Sequence, residues 1–226
     1  GAIGKKLECD STAILEFMNS ADSLESYGLD TNTVMSPIFP DTYTYFWNTT
    51  PKKVFNKFYE AYKTVWTDER KQKAAAQGLS PTSAYILASI IEEETNDKED
   101  KPLMASVYLN RIKKGMMLGA DPTVKFALRD FDLKRIYVKH TAVESPYNTY
   151  RVFGLPPGPI CTPTDENLDA VLNAPATDYL FFVAKSDFSG KHVFTTSYQD
   201  HLKFAKEYQQ ALKGLLEKKE ADEQTE

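Results

Sequence analysis

Apolar residues recur along most of the chain at the spacing of an amphipathic helix, and each such segment begins at a capping residue or a proline. One segment begins after Asp10. A long one opens at Thr50 and Pro51 and continues until Gly78. The pattern predicts helices over residues 10–18, 51–77, 81–95, 100–114, 121–128 and 165–173, and a last helix that begins after Ser197.

Two short segments have the pattern of strands. Tyr179–Ala184 and His192–Phe194 flank a turn at Gly190 and predict an antiparallel hairpin. Between Val152 and Thr164 the chain has no charged residue and is rich in proline and glycine, which predicts a stiff loop. The Pro-punctuated stretch 36–46 is expected to be a strand or loop that packs its aromatic residues onto the main domain. The predicted fold class is α+β, a helix-rich domain with a small antiparallel sheet.

Composition narrows the class of protein. The 27 basic and 32 acidic residues give a net charge of −5, which argues against a nucleic-acid partner. A hydrophobic content of 42% excludes disorder. A mean hydropathy of −0.46 with only short apolar runs predicts that this chain is soluble. The two cysteines and three histidines have no metal-ligand spacing, so neither a metal nor a cofactor is expected, and His192 and His201 are expected to be structural.

Glu94 is the candidate for acid–base chemistry. At about 100° per residue, the apolar residues Leu87, Ile90 and Ile91 form one stripe of the predicted helix 81–95, and Glu94 falls in the middle of it. Glu92 falls on the opposite, polar face. Burial raises the pKa of a carboxyl group, as a general acid requires. The alternative is that Glu94 lies beyond the buried part of the helix and reaches water.

A second candidate feature is uncharged. The run Tyr147–Tyr150, followed by the Pro/Gly loop, offers aromatic faces with amide and hydroxyl groups, which suit a neutral polyhydroxylated ligand such as a sugar. The alternative is that the tyrosines belong to the core and the prolines only stiffen the loop.

Seven blocks, in one order and with short spacings, resemble the YceG-like family of endolytic murein transglycosylases. They are Leu87–Thr95, Ala105–Arg111, Gly115–Leu118, Asp121–Val124, Tyr147–Tyr150, Gly154–Ile160 and Tyr179–Ala184. Phe39–Tyr43 fits the segment that precedes the catalytic domain in that family. The resemblance covers about residues 36–213.

The resemblance implies a single-pass protein of the bacterial inner membrane that acts in cell wall assembly, with its catalytic domain facing the periplasm and its membrane anchor outside this chain. Residues 1–36 would be a remnant of a LysM-like module, 37–216 the catalytic domain, and 217–226 a charged, disordered tail. Its substrate would be the glycan strands of peptidoglycan, and its candidate partners the cell-wall synthases.

The family's reaction is implied to cleave the bond between N-acetylmuramic acid (MurNAc) and N-acetylglucosamine (GlcNAc) within a strand, leaving 1,6-anhydro-MurNAc ends. The family's catalytic glutamate maps onto Glu94, the residue that the helical periodicity also selects. The expected glycan-binding residues are Asn110, Asp121, Thr123, Tyr147, Asn148, Tyr150, Leu155, Pro156 and Pro157. Gly119 stands where the family pattern has Gln, so one substrate contact is expected to be weaker.

Two other functions fit the same residues. A muramidase would use Asp121 as a second carboxylate and add water to the cleaved bond. A non-catalytic peptidoglycan-binding scaffold would have Glu94 as a solvated helix end.

Overall fold

The computed structural model describes residues 6–223, with side chains as far as Glu217. Helices dominate it. The elements in chain order are α1 (Ser11–Asn19), α2 (Ala21–Glu25), α3 (Pro51–Val65), α4 (Asp68–Ala76), α5 (Pro81–Glu94), α6 (Asp100–Lys113), α7 (Asp121–Leu128), a short 3-10 helix (His140–Ala142), α8 (Asp165–Leu172), β1 (Phe181–Ala184), β2 (His192–Thr195) and α9 (Tyr198–Glu223).

The two strands form the predicted antiparallel hairpin, with Phe181 opposite Thr195 and Ala184 opposite His192. The α+β class is therefore confirmed. His192 ties the hairpin to the start of α6, because its backbone N–H and its Nδ1 lie 2.8 Å and 2.9 Å from one carboxylate oxygen of the buried Asp100. Val152–Thr164 has no helix or strand, as its prolines predict.

Helix α5 is the centre of the fold. Ser80 caps it by accepting a hydrogen bond from the Ser83 backbone N–H at 3.1 Å, a contact that stabilises a helix by about 1 kcal/mol. Every residue from Ala84 to Ile91 is buried. The single apolar stripe predicted for this helix is wrong, because the opposite face carries the small residues Ala88 and Ser89 and packs as well. The backbone N–H of Ile160 approaches that face and donates to Ser89 Oγ at 3.1 Å.

The long helix predicted over 51–77 is interrupted. Trp66 leaves the helical conformation with φ −87° and ψ 68°, and its side chain is buried in the main core. Thr67 then caps α4, accepting a hydrogen bond from the Arg70 backbone N–H at 3.3 Å. The acidic residues Asp68 and Glu69 follow in the first turn, where they favour a helix start. A helix-start signal inside the apolar pattern therefore separates α3 from α4.

A second, smaller core lies between the N-terminal residues and α3. It contains Leu24, Val34, Val54, Phe55 and Phe58. It therefore joins residues on both sides of the boundary predicted at residues 36 and 37. The stretch 36–46 is a loop, and its Phe39 is buried in the main core.

Helix α9 continues to Glu223, into the segment for which the sequence predicts a disordered tail. The segment 217–223 contains neither Gly nor Pro, so nothing in it ends a helix. Among residues 6–223, no helix combines the length and the apolar character needed to cross a bilayer.

Candidate active site

Glu94 is the last residue of α5 and lies where two clefts meet. The helix ends there because Thr95 adopts an extended backbone, with φ −152° and ψ 146°. One cleft, of about 360 Å³, is lined by Glu94, Arg111, Gly119, Asp121, Tyr150, Phe181, Phe182, Tyr198 and His201. The other, of about 470 Å³, is lined by Glu92–Asp97 and by the hairpin residues Ser189, Gly190 and His192. Glu94 is the residue that lines both.

The Glu94 carboxyl is held by α6. Fully buried Tyr108 donates a hydrogen bond from its phenol to Glu94 Oε1 at 2.5 Å. Burial raises the pKa of Glu94 to about 7, and the nearby Asp121 charge acts in the same direction. The Tyr108 hydrogen bond and the positive charges of Arg111 and Lys125 act against this rise. Glu94 is therefore not a solvated helix end, and both of its protonation states are accessible near neutral pH.

Arg111 is fixed beside Glu94 by backbone carbonyls. Its Nε donates to the Leu180 oxygen at 2.7 Å, and its Nη1 donates to the Leu118 oxygen. The guanidinium lies 5.3 Å from the centre of the Phe181 ring. A permanent positive charge is thereby held at the wall of the cleft, near a carboxyl that gains and loses a proton.

Asp121 and Tyr150 form a hydrogen-bonded pair in the lining of the same cleft. The Tyr150 phenol donates to Asp121 Oδ1 at 2.6 Å. Asp121 is the first residue of α7, where the positive end of the helix dipole favours a carboxylate. Gly119 lies between this pair and Arg111, with φ +58°, and a Cβ there would be 3.5 Å from Arg111 Nη1 and 3.6 Å from the Tyr150 ring. A side chain at position 119 would therefore enter the cleft.

The neighbouring acids Glu92 and Glu93 have surroundings unlike those of Glu94. Glu92 does not project from a free polar face, as the helical periodicity suggested. Its Oε2 accepts hydrogen bonds from the Thr164 backbone at 2.8 Å, from the Thr164 hydroxyl at 3.0 Å, and from the Asn167 amide. Glu92 therefore binds the N-terminus of α8. Glu93, in contrast, is exposed.

Three of the residues expected to bind glycan use their polar atoms inside the protein. Thr123 is fully buried and donates to the Ala120 oxygen at 2.6 Å. Asn148 is also fully buried; its amide donates to the carbonyls of Thr141 and Val143 at 2.9 Å and 2.7 Å. The half-buried Asn110 donates to the carbonyls of residues 177 and 179 at 2.7 Å and 3.0 Å. Their placement favours a positioning role for all three side chains.

The Pro/Gly loop and Tyr147 lie outside the cleft that holds Asp121 and Tyr150. Tyr147 packs against Phe126, with ring centres 4.7 Å apart. Leu155 packs against the main core, Pro156 is buried and Pro157 is half-buried. Gly158 brings the loop against the N-terminal region, since a Cβ there would lie 2.0 Å from the Asn32 oxygen.

Sequence reasoning did not select Tyr108, Arg111, Phe181, Tyr198 or His201 as site residues. Tyr108 and Arg111 are three positions apart on α6 and lie within one of the resembling blocks, which was the available signal. The aromatic residues come from β1 and α9. They lie beside Glu94 because of the way the hairpin and α9 pack. No local sequence pattern predicts that packing. Within the described residues, no three His, Cys, Asp or Glu side chains are grouped as a metal site.

Comparisons of sequence and of structure find proteins of one family. The model of the YceG-like family matches residues 3–207. The endolytic murein transglycosylase of Bacillus subtilis (strain 168) is 39% identical over 156 residues, which are 69% of this chain and 40% of that protein. The protein of the same name from Streptococcus pneumoniae serotype 2 (strain D39) is 26% identical over 200 residues, covering 83% of this chain and 34% of that protein.

Among solved structures, the crystal structure of the yceG-like protein lmo1499 from Listeria monocytogenes superposes with a TM-score of 0.70 at 27% identity. The match covers 87% of this chain and 67% of that one. The chain spans only about 34–40% of the length of the curated relatives above.

Proposed function

The chain belongs to the YceG-like family, and from that premise we propose that it is an endolytic murein transglycosylase that cleaves peptidoglycan glycan strands at Glu94. Its relatives in Bacillus subtilis and Streptococcus pneumoniae carry that name. The observation that carries the proposal is the position of Glu94, a carboxyl with a pKa of about 7 at the junction of two clefts. A strand that continues on both sides of the cleaved bond needs space on both sides of the acid, which supports internal cleavage.

The first step is protonation of the leaving oxygen. Because Glu94 Oε1 already accepts the Tyr108 hydrogen bond, the proton of the neutral carboxyl is carried by Oε2. Oε2 donates this proton to the glycosidic oxygen as the bond from the MurNAc anomeric carbon to that oxygen breaks. The GlcNAc side leaves with a free hydroxyl group, and Glu94 becomes a carboxylate that Arg111 stabilises.

In the second step the carboxylate acts as a base. It removes the proton from the C6 hydroxyl of the same MurNAc, and that oxygen forms the new bond to the anomeric carbon. The product is a 1,6-anhydro end, Glu94 is again protonated, and no water is consumed. The nucleophile is part of the substrate, so its attack is intramolecular and a second carboxylate is not required.

A muramidase is the second candidate, because Asp121 lies in the same cleft as Glu94. Its Oδ1, however, accepts the Tyr150 hydrogen bond, an arrangement that supports a role in holding the cleft wall. We assign Asp121 and Tyr150 to contact with the glycan. Thr123 and Asn148 would hold the segments that carry Asp121 and Tyr150, and Asn110 would hold the segment that leads into β1. Tyr147, Leu155, Pro156 and Pro157 would stiffen the chain outside the cleft.

The remaining assignments follow from the family. We propose that residues 37–216 are the catalytic domain, that residues 1–36 are what remains of a LysM-like module, and that the full-length protein is anchored in the inner membrane with this part in the periplasm. Cell-wall synthases are its proposed partners in wall assembly.

The chemical structure of the reaction product tests the proposed function. Peptide-free glycan strands are digested and analysed by mass spectrometry. We expect long internal fragments whose MurNAc ends are lighter than a reducing end by one water. Reducing MurNAc ends would favour the muramidase, and intact strands would favour the scaffold.

A further inference from the structure

Three aromatic rings form one wall of the cleft beside Glu94. They belong to Phe181 in β1 and to Tyr198 and His201 in α9, and all three line the same cleft as Glu94. The centres of the Phe181 and His201 rings are 5.5 Å apart, with an angle of 29° between the ring planes. The Tyr198 and His201 rings are 6.0 Å apart at 25°, and the Phe181 and Tyr198 rings are 5.6 Å apart at 50°. The three rings therefore pack against one another, and Tyr198 is the one that is largely exposed. We call these three residues the aromatic platform.

The local structure holds the aromatic platform in place. Tyr198 and His201 are three positions apart, so they lie on the same side of α9. Ser197 fixes the start of that helix, where its Oγ accepts a hydrogen bond from the Asp200 backbone N–H at 3.1 Å. The platform also reaches solvent, because the Tyr198 side chain is 57% exposed. An exposed aromatic ring on a rigid element is a suitable contact surface for a ligand.

The platform carries no charge at neutral pH. Burial lowers the pKa of His201, and the neighbouring Arg111 charge lowers it further. Its Nδ1 is buried and has no hydrogen-bond partner among the described residues, so a proton there would have no acceptor. Arg111 places a positive charge above the Phe181 ring.

These properties suit an uncharged ring with one apolar face. A pyranose presents axial C–H groups on one face and hydroxyl groups around its edge. The C–H face loses contact with water when it packs on an aromatic ring, and the edge stays free for polar groups.

We propose that Tyr198, packed against Phe181 and His201, forms a stacking subsite for an uncharged N-acetylglucosamine unit of the strand, next to the bond that Glu94 cleaves. This inference rests on the proposed function, since it assigns part of the same cleft. It adds the surface that holds the sugar while Glu94 transfers its proton.

The test measures binding with the reaction blocked. The Glu94→Gln variant is titrated with peptide-free glycan strands. Adding Tyr198→Ala should weaken binding about five- to tenfold, because it removes a stacking ring from the cleft. Tyr198→Phe should keep the affinity, because the ring and not the hydroxyl makes the contact. Leu202→Ala is the matched control, since Leu202 is a neighbouring residue of α9 that is 49% exposed and does not line the cleft.

A second measurement does not depend on affinity alone. Tyr198→Trp keeps an aromatic surface, and its emission should shift to shorter wavelength when strands are added. The chain with Tyr198 in place, whose tryptophans are Trp47 and Trp66, should show no such shift.

The outcomes separate the two claims. If adding Tyr198→Ala to Glu94→Gln leaves binding unchanged while the unsubstituted chain cleaves strands, the stacking subsite is wrong and the proposed function stands. If Glu94→Gln does not bind strands and the unsubstituted chain leaves them intact, both are wrong. If Leu202→Ala weakens binding as much as Tyr198→Ala, the effect belongs to α9 as a whole and the subsite is also wrong.

Discussion

The phenol of Tyr108 donates a hydrogen bond to Oε1 of Glu94 at 2.5 Å, from a side chain that is itself fully buried. The two residues belong to different helices, α6 and α5, so the contact fixes the carboxyl relative to both. It leaves one carboxyl oxygen of Glu94 free to exchange a proton with a substrate.

Glu94→Gln should abolish strand cleavage. The amide has nearly the same shape, but it cannot donate a proton and then accept one, and such catalysis contributes about 10²- to 10⁴-fold to a rate. Release of soluble fragments from purified strands measures this. Glu16→Gln is the matched control, because Glu16 is exposed on α1 and lines neither cleft. Equal loss in both variants would contradict the assignment.

The same Glu94→Gln variant should be more stable than the unsubstituted chain at pH 8. The pKa of Glu94 is about 7 when folded, against an ordinary value of 4.5. The folded state therefore binds more protons than the unfolded state between these values, and the free energy of unfolding falls as pH rises through them. Above pH 7 the charged Glu94 carboxylate lowers the free energy of unfolding by on the order of 2 kcal/mol. The uncharged amide of the Glu94→Gln variant avoids this loss. Thermal melts should show a higher Tm for Glu94→Gln than for the unsubstituted chain at pH 8, and this difference should disappear at pH 4.5.

Tyr108→Phe should move the pH dependence of cleavage. The hydrogen bond from Tyr108 lowers the pKa of Glu94, so its removal raises that pKa further. A general acid is active when protonated, and kcat/KM should fall as pH rises through about 7 in the unsubstituted chain. In Tyr108→Phe this fall should occur at higher pH. A lower rate with an unmoved pH profile would assign Tyr108 a purely structural role.

Helix starts were the most predictable part of the fold. Ser80 with Pro81 and Asp121 with Pro122 mark α5 and α7 in the sequence, because capping and proline geometry are local. The break at Trp66 was missed although Thr67 is an equally local cap. The apolar spacing continues through it, and apolar spacing alone does not show where a chain turns between two packed helices.

The site was predictable only in part. Periodicity selected Glu94, yet the single stripe on which that argument depended does not exist, since α5 is buried on all sides along Ala84–Ile91. The surroundings of Glu92, Tyr198 and His201 depend on packing between segments far apart in the chain. No property of a local window contains that information.

Glu92→Gln should destabilise the fold rather than the reaction. Glu92 accepts three hydrogen bonds at the N-terminus of α8, and a neutral amide there loses the charge that strengthens them. We expect a loss of about 1–2 kcal/mol, or a few degrees in Tm. Calorimetry should show this while the cleavage rate per folded molecule is retained. An unchanged Tm with lost cleavage would place Glu92 in the reaction.

Asp121→Asn distinguishes the two candidate reactions. If Asp121 were the second carboxylate of a muramidase, its amide variant would lose nearly all activity, and reducing ends formed by the unsubstituted chain in H₂¹⁸O would carry the label. In the proposed transglycosylase, C6 of the substrate supplies the nucleophile, so no label enters and Asp121→Asn keeps substantial activity.

Asp121→Asn should also shift the pH profile of kcat/KM. The Asp121 charge raises the pKa of Glu94, so neutralising it lowers that pKa. The fall of kcat/KM then moves to lower pH, opposite to the shift expected for Tyr108→Phe. Asp121→Glu keeps the charge and should keep the original profile if the effect is electrostatic. Labelled ends together with an inactive Asp121→Asn variant would contradict the transglycosylase. They would show a hydrolase that uses two carboxylates.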